Sequence, residues 1–209
     1  MIKRTYAKLK ASAVYLRGRT SVPKSFSYMN KHWKASPTSE THSRLQDNPE
    51  EFVTYHNMYE DLRESWTFIP FEVIAFNIRA LDGPLKVVDM GCGDKPHIAN
   101  ILRGFHHVTS YDHVSLDETI IATDITNTPA EDETFDVAAM SLALMGSNWE
   151  DYFNEVSRIL KVGGLLVLGE TPKHAENPER ITKELEKAGL FVNKYYRQGD
   201  FYFFEAIKG

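Results

Sequence analysis

The segment LKVVDMGCGD, Leu85 to Asp94, decides the fold. Its first six residues form a short apolar strand, Leu85–Met90, which runs directly into the turn Gly91-Cys92-Gly93 and then an acid, Asp94. Glycines at a strand end let a ligand approach the backbone, because no side chain occupies that space. Beyond the turn, strand and helix patterns alternate. His97–Arg103 reads as a helix, Val108–Tyr111 as a strand ending at Asp112, and Ile120–Thr123 as a strand ending at Asp124. Phe135–Leu144 is a nearly continuous apolar run, as expected of a strand buried on both faces. Ser147-Asn148-Trp149-Glu150 matches a capping box, and the helix after it runs to Gly163-Gly164. Leu165–Leu168, Phe191–Tyr196 and Phe201–Ile207 complete the strands, with a last helix from Asn177-Pro178-Glu179 to Gly189. This alternation predicts an α/β fold: a doubly wound, Rossmann-like, mostly parallel seven-stranded sheet whose closing hairpin makes the last strand antiparallel.

Upstream of the sheet, Asn48-Pro49-Glu50-Glu51 reads as a helix start. Phe52, Tyr55, Tyr59, Leu62 and Trp66 then follow on one face. A second helix begins at Pro70 and ends at Asp82-Gly83-Pro84. Three domains are therefore expected: a basic, partly disordered arm over residues 1–45, a helical capping extension over 46–84, and a ligand-binding domain over 85–209.

The chain has 209 residues, 42% hydrophobic and 12% aromatic, which argues against disorder. No apolar run reaches the ~20 residues of a membrane helix, and the N-terminus lacks an apolar signal core, so an intracellular protein is expected. One cysteine, Cys92, excludes an intramolecular disulfide. The net charge of -5 conceals an asymmetry. Residues 1–39 hold nine Lys/Arg and no acid, leaving 15 basic and 29 acidic residues in the remainder. A basic arm on an acidic body suits contact with a polyanion such as RNA, the alternative being a solvated tail.

Ligands of such sheets bind beyond the C-terminal strand ends. Asp94, Asp112 and Asp124 stand there, and Asp112 lies 21 residues past Gly91, near the ~20 expected of an acid that holds ribose hydroxyls. An acid after the third strand could accept from an adenine amine. A dinucleotide fingerprint fails, because its sixth position is Pro96, which has no N–H to offer a pyrophosphate. A cationic, phosphate-free ligand fits the acids better. S-adenosyl-L-methionine is such a ligand, and the pattern matches class I methyltransferases. Cys92 has no paired histidine to make it a nucleophile, and the eight histidines show no metal-ligand spacing, so no metal is expected. His106-His107 reads as strand or loop surface, and Glu131-Asp132-Glu133 as a solvated loop.

The chain also resembles a known family, nucleomethylin, also called ribosomal RNA-processing protein 8. The most specific match is Ser141-Leu142-Ala143-Leu144-Met145-Gly146-Ser147-Asn148, close to the family's "SLSLMGTN". "MGCGD" at 90–94, "EVSRILKVGGLL" at 155–166, Phe26–Asn30, Asp47–Trp66 and Tyr202–Phe204 resemble family segments as well, so the similarity runs from about Phe26 to the end. The resemblance implies S-adenosylmethionine-dependent methylation of adenosine N1 in large-subunit ribosomal RNA. It implies a cofactor site of His56, Gly91, Asp112, Asp124, Ile125 and Ser141, to which the turn adds Gly93. His56 read from periodicity alone is a core or surface histidine. A nuclear or nucleolar location is implied if the source is eukaryotic, cytoplasmic otherwise, and a monomer is expected. Met58, Glu60 and Thr67 depart from the family's glycine, arginine and proline, in the segment expected to line the substrate entrance.

Adenine N1 carries a free lone pair, so no general base is required. The Asn/Asp-Pro-Pro-aromatic motif of exocyclic-amine methylases is absent, Ser141–Leu144 standing in its place. N1 lies on the Watson–Crick edge, so the target base must be unpaired or flipped. Trp66, Trp149 and Tyr202 are the candidates to stack on it, with core packing as the alternative for each. Two other functions remain open from sequence: methylation of a small molecule or protein, and a cofactor-sensing module in chromatin silencing or ribosome assembly.

Overall fold

A computed structural model describes residues 25–173 and 177–209. Seven strands form one sheet: β1 (Lys86–Met90), β2 (His107–Asp112), β3 (Ile120–Ala122), β4 (Phe135–Ser141), β5 (Leu160–Glu170), β6 (Leu190–Gln198) and β7 (Phe201–Lys208). Their order is β3-β2-β1-β4-β5-β7-β6. The first five pair in parallel, while β7 runs antiparallel to both neighbours. The chain fills one half of the sheet outward from β1, then returns to lay β4 on the other side of β1. That reversal opens a crevice at the C-terminal ends of β1 and β4, where ligands of open α/β sheets bind.

Adjacent strand residues face opposite sides, so a central strand needs apolar residues in succession. Val87 and Val88, like Phe203 and Phe204, are fully buried on different faces. One face is covered by α4 (Pro70–Arg79) and α5 (His97–Leu102), which bring Ile74, Ile78, Ile98 and Leu102 against Val87, Val167 and Phe203. The other is covered by α6 (Asp151–Ile159) and α7 (Pro178–Lys187), through Phe153, Val156, Ile181 and Leu185.

A third cluster lies over the strand ends. It joins α1 (Phe26–Ala35), α2 (Thr38–Asp47) and α3 (Pro49–Arg63) to Val114 and Leu116 of the loop after β2. Trp33 stacks on Tyr55 at 4.2 Å and donates its indole N–H to Glu51 at 2.8 Å. The expected boundary of a basic arm at residue 45 falls inside α2. From Phe26 onward that segment is helical, because Met29, Trp33 and Leu45 supply an apolar face that docks on the body. The rest of the arm, residues 1–24, lies outside the described residues.

Other expectations are corrected locally. The capping box at 147–150 does not form. α6 starts at Asp151, and the Asn148 amide oxygen instead accepts the Thr38 N–H at 2.9 Å, tying the β4–α6 loop to α2. The helix ends at Ile159, before Gly163-Gly164, which lie within β5 beside a register shift against β4. A Cβ on Gly164 would meet the Lys161 carbonyl oxygen at 2.8 Å. β4 ends at Ser141 because Leu142 turns into the left-handed region, φ +54°. His106 is buried, its Nδ1 accepting the Leu85 N–H and its Nε2 meeting the Ile78 carbonyl.

Trp33→Ala removes the stacking partner of Tyr55 and leaves the half-buried Glu51 carboxylate without its indole donor. We expect a loss of ~3 kcal/mol in urea unfolding. A loss under ~0.5 kcal/mol would show that the helical cap is not part of the cooperative core.

Candidate active site

A cavity lies beneath the three-helix cap at the C-terminal ends of β1, β2, β4 and β5. Its floor is the turn Gly91-Cys92-Gly93. The Gly91 and Cys92 N–H groups bond the Tyr111 carbonyl at 2.9 and 3.1 Å. Gly91 and Gly93 adopt φ +80° and +82°, and both face close neighbours: a Cβ on Gly91 would lie 2.8 Å from the Ala143 Cβ, and one on Gly93 3.2 Å from His56 Cε1. Glycine is therefore demanded both by backbone conformation and by space.

Asp112, at the end of β2, accepts the Gly93 N–H and the His113 N–H, each at 2.7 Å. Burial pushes its carboxyl up, while nearby His56 and the two backbone donors pull it down. His56 projects from α3 into the same space, against the Phe52 ring at 4.3 Å and with Nδ1 3.9 Å from Asp94 Oδ1. Burial lowers its pKa, which keeps the imidazole neutral at neutral pH, against the opposing pull of Asp94 and Asp112.

Two further carboxylates line the cavity. Asp89, on β1, is buried and pushed up to about 8 by that burial, with Asp112 adding to it. Glu170, ending β5, is pushed up to about 7, again by burial, against the hydrogen bonds it accepts from Leu144 and Thr171. Asp89 Oδ1 and Ser141 Oγ have no hydrogen-bond partner, although both residues line the cavity. An orphaned buried polar atom is costly within a finished core but natural where a ligand supplies the missing partner.

Of the expected site residues, the structure brings His56, Gly91, Gly93, Asp112, Ile125 and Ser141 together on the cavity wall. Asp124 is not on that wall. Its carboxylate accepts the Thr126 N–H at 3.0 Å and shapes the turn that places Ile125 there. Trp66 lines the cavity, edge-on to Tyr59 at 5.5 Å and to Phe201 at 4.9 Å. Trp149 and Tyr202 do not line it. Trp149 packs edge-on against Phe153, with the Arg180 guanidinium 5.1 Å from its ring centroid, and Tyr202 stacks on Tyr195 at 5.7 Å. Both cover the sheet face that carries α6 and α7.

Sequence reading missed Asp89, Glu170 and Lys34. The first had a usable signal, an acid inside an apolar strand, and the second obeys the same strand-end rule as Asp112. Lys34 carried none, since only the docking of α1 brings it to the cavity. Of the family departures, Glu60 pairs with Lys95 at 2.6 Å and Met58 packs against the cap cluster.

This sheet order, with its antiparallel β7 and a glycine turn after β1, defines the Rossmann-like methyltransferase fold. The chain belongs to the family described as "Hypothetical methyltransferase", whose model matches residues 20–208. A mouse relative named ribosomal RNA-processing protein 8 is 32% identical over 184 residues, covering 88% of this chain and 40% of its own. A fission-yeast relative, *Schizosaccharomyces pombe* 25S rRNA (adenine(645)-N(1))-methyltransferase, is 31% identical over 177 residues, 79% of this chain and 55% of its own. The chain thus spans about half the length of the curated relatives it matches. Among solved structures, the *Burkholderia thailandensis* 1,6-didemethyltoxoflavin-N1-methyltransferase, with bound S-adenosylhomocysteine, shares the fold at TM-score 0.63 and 18% identity, over 83% of this chain and 91% of its own. A TehB-like methyltransferase from *Corynebacterium glutamicum* does so at TM-score 0.59 and 18% identity, over 78% and 100%.

Burial and the neighbouring acids Asp89 and Asp112 hold the Cys92 thiol well above its ordinary pKa. Iodoacetamide should therefore label it far more slowly at about pH 8 than the same chain unfolded in urea. Equal rates would show that the glycine turn is open to solvent and the acids are not where they are described.

Proposed function

We propose that this chain is an S-adenosylmethionine-dependent methyltransferase acting on N1 of an adenosine in large-subunit ribosomal RNA. The observation that carries the reading is the set of polar atoms at the glycine turn. Asp89 and Ser141 face the cavity with unpartnered oxygens, beside a turn that excludes Cβ atoms and a carboxylate, Asp112, fixed by two backbone donors. Carboxylates dominate that end, which suits an ammonium and a sulfonium and disfavours phosphate. Asp112 would take the ribose hydroxyls, Ile125 would flank the adenine, and His56, Asp89 and Ser141 would serve the amino-acid part. When bound, the cofactor supplies a methyl group on a sulfonium.

The chain's own residues supply position and exclusion of water. The cap closes the cavity with Trp33, Tyr55 and Tyr59, while Trp66 offers a ring on which an unpaired base could stack. N1 attacks with its own lone pair, so no side chain has to remove a proton. The neutral His56 and the raised Asp89 and Glu170 fit a site built for electrostatics and orientation rather than base catalysis. The names of the relatives support an RNA substrate and, in a eukaryote, a nucleolar location. The nine basic residues of 1–39 would bring the phosphate backbone to an acidic body, Lys31 and Lys34 from α1 and the other seven from residues 1–24. Among the described residues no helix is long and apolar enough to cross a membrane.

Incubation with labelled cofactor and large-subunit ribosomal RNA should yield 1-methyladenosine; transfer to another atom, or to no RNA, would refute the reading. Asp112→Ala should weaken cofactor binding by about 100-fold in calorimetry, since a charge-assisted contact is worth about 1.5–3 kcal/mol and the turn loses its tether as well. Unchanged affinity would remove Asp112 from the site. Deleting residues 1–24 should lower RNA affinity and flatten its dependence on salt, by about 0.7 in log–log slope for each lost contact to single-stranded phosphate. An unaltered slope would make those residues bystanders.

A further inference from the structure

Glu170, one of the charged groups that line the cavity, has no task in the cofactor site proposed above. Glu170 ends β5 and is 2% exposed. Its Oε1 accepts the Leu144 N–H and its Oε2 the Thr171 N–H, each at 3.0 Å. The two tethers come from different loops and fix the carboxylate plane. A carboxylate has about four lone-pair sites, so each oxygen keeps room for one more donor. Leu142, at φ +54°, makes the turn that leads the backbone round to Leu144. A non-glycine residue in that region costs of order 1 kcal/mol and persists where surrounding structure holds it. Lys34 from α1, with Lys173 beside it, and Tyr55 and Tyr59 from α3 all sense the Glu170 charge, and Lys34, Tyr55 and Tyr59 share its cavity wall. The carboxylate is thus held by the loops after β4 and β5 on a cavity wall shared with the cap, whereas Asp112 is bound to the glycine turn.

We propose that Glu170 recognises the target base, accepting the adenine N6–H and holding the positive charge that methylation places on the ring; this rests on the N1-adenosine reading above. The charge balance requires such a group. The N1 lone pair forms the new N–C bond, the electrons of the breaking C–S bond stay on sulfur, and the positive charge passes from sulfonium to base with no proton lost. N6, carried by the ring carbon next to N1, becomes a stronger donor as that happens. A carboxylate there also discriminates between bases: guanine would present the O6 acceptor to it, with a proton already on N1. Lys34, which lines the same cavity, is the cation that acts on Glu170, and the RNA phosphate would compete for it when the base enters.

The test measures binding of a short RNA carrying 1-methyladenosine, against the same RNA with adenosine, to protein loaded with S-adenosylhomocysteine. The wild-type chain should prefer the methylated RNA by about tenfold or more, and Glu170→Gln should erase the preference. In the wild type the preference should grow from about pH 6 to about pH 8, as the Glu170 carboxyl, held near 7, becomes ionised. Equal preference in both chains, or a flat pH profile, overturns the proposal whatever the transfer assay on ribosomal RNA shows. Loss of S-adenosylhomocysteine affinity and of thermal stability in Glu170→Gln, in step with the preference, would also overturn it, by making the carboxylate only a tie between loops. Should transfer fail in the wild type while the preference and its loss remain, the N1 reaction is refuted and base recognition stands.

Discussion

Asp112 accepts the Gly93 and His113 N–H groups with its two oxygens, and the rest of the site is arranged around that carboxylate. One donor belongs to the glycine turn after β1 and the other to the loop after β2, so a single side chain fixes the spacing of two strand ends. Gly93, at φ +82°, favours glycine, and His56 descends from α3 to within 3.2 Å of where a Cβ would lie, bringing the cap with it. Gln46 of α2 donates in turn to the His113 carbonyl. Sheet, turn and cap therefore converge on one buried charge, which a cationic ligand would stabilise and an apolar one would not.

The cap has its own tether at the other end of the cavity. The Ser147 N–H bonds the Ser36 carbonyl at 2.9 Å, Asn148 holds Thr38, and the Tyr152 hydroxyl donates to the Met145 carbonyl. The segment Met145–Asn148 thus acts as a latch between β4 and the helices before the sheet. Gly146 is required there, since its φ is +104° and a Cβ would lie 2.8 Å from the Tyr152 hydroxyl. The segment Ser141–Asn148, the most specific match to the family, thus ties the cap to the sheet.

Much of this was legible in the chain. Apolar strand runs, glycine turns and strand-end acids are local signals, and they give the seven strands, the cavity end of the sheet and the residues Gly91, Gly93 and Asp112. The misses have physical reasons. Ser147 looks like a cap because Glu150 follows three residues on, but its N–H is drawn to the Ser36 carbonyl, 111 positions away in sequence, and the helix starts later, at Asp151. Trp149 and Tyr202 look like stacking rings because aromatic residues serve cores and bases alike, and only the side they face decides. Asp124 obeys the strand-end rule yet satisfies its own turn first. The docking of α1 had a signal in Phe26, Met29 and Trp33, apolar residues that interrupt a polar stretch and pack against the body. Burial, which raises Asp89 and Glu170, is a property of the assembled cavity and has no counterpart in sequence.

The buried Asp89 carboxyl, largely protonated in the free chain at neutral pH, awaits the cationic cofactor. Calorimetry of S-adenosylmethionine binding at about pH 6.5, where an α-amino group is already protonated, tests this when repeated in buffers of different ionisation enthalpy. Asp89, held near 8, should ionise as the cation arrives, so binding should release protons to the buffer. Binding with no proton exchange, or with uptake, would contradict the account.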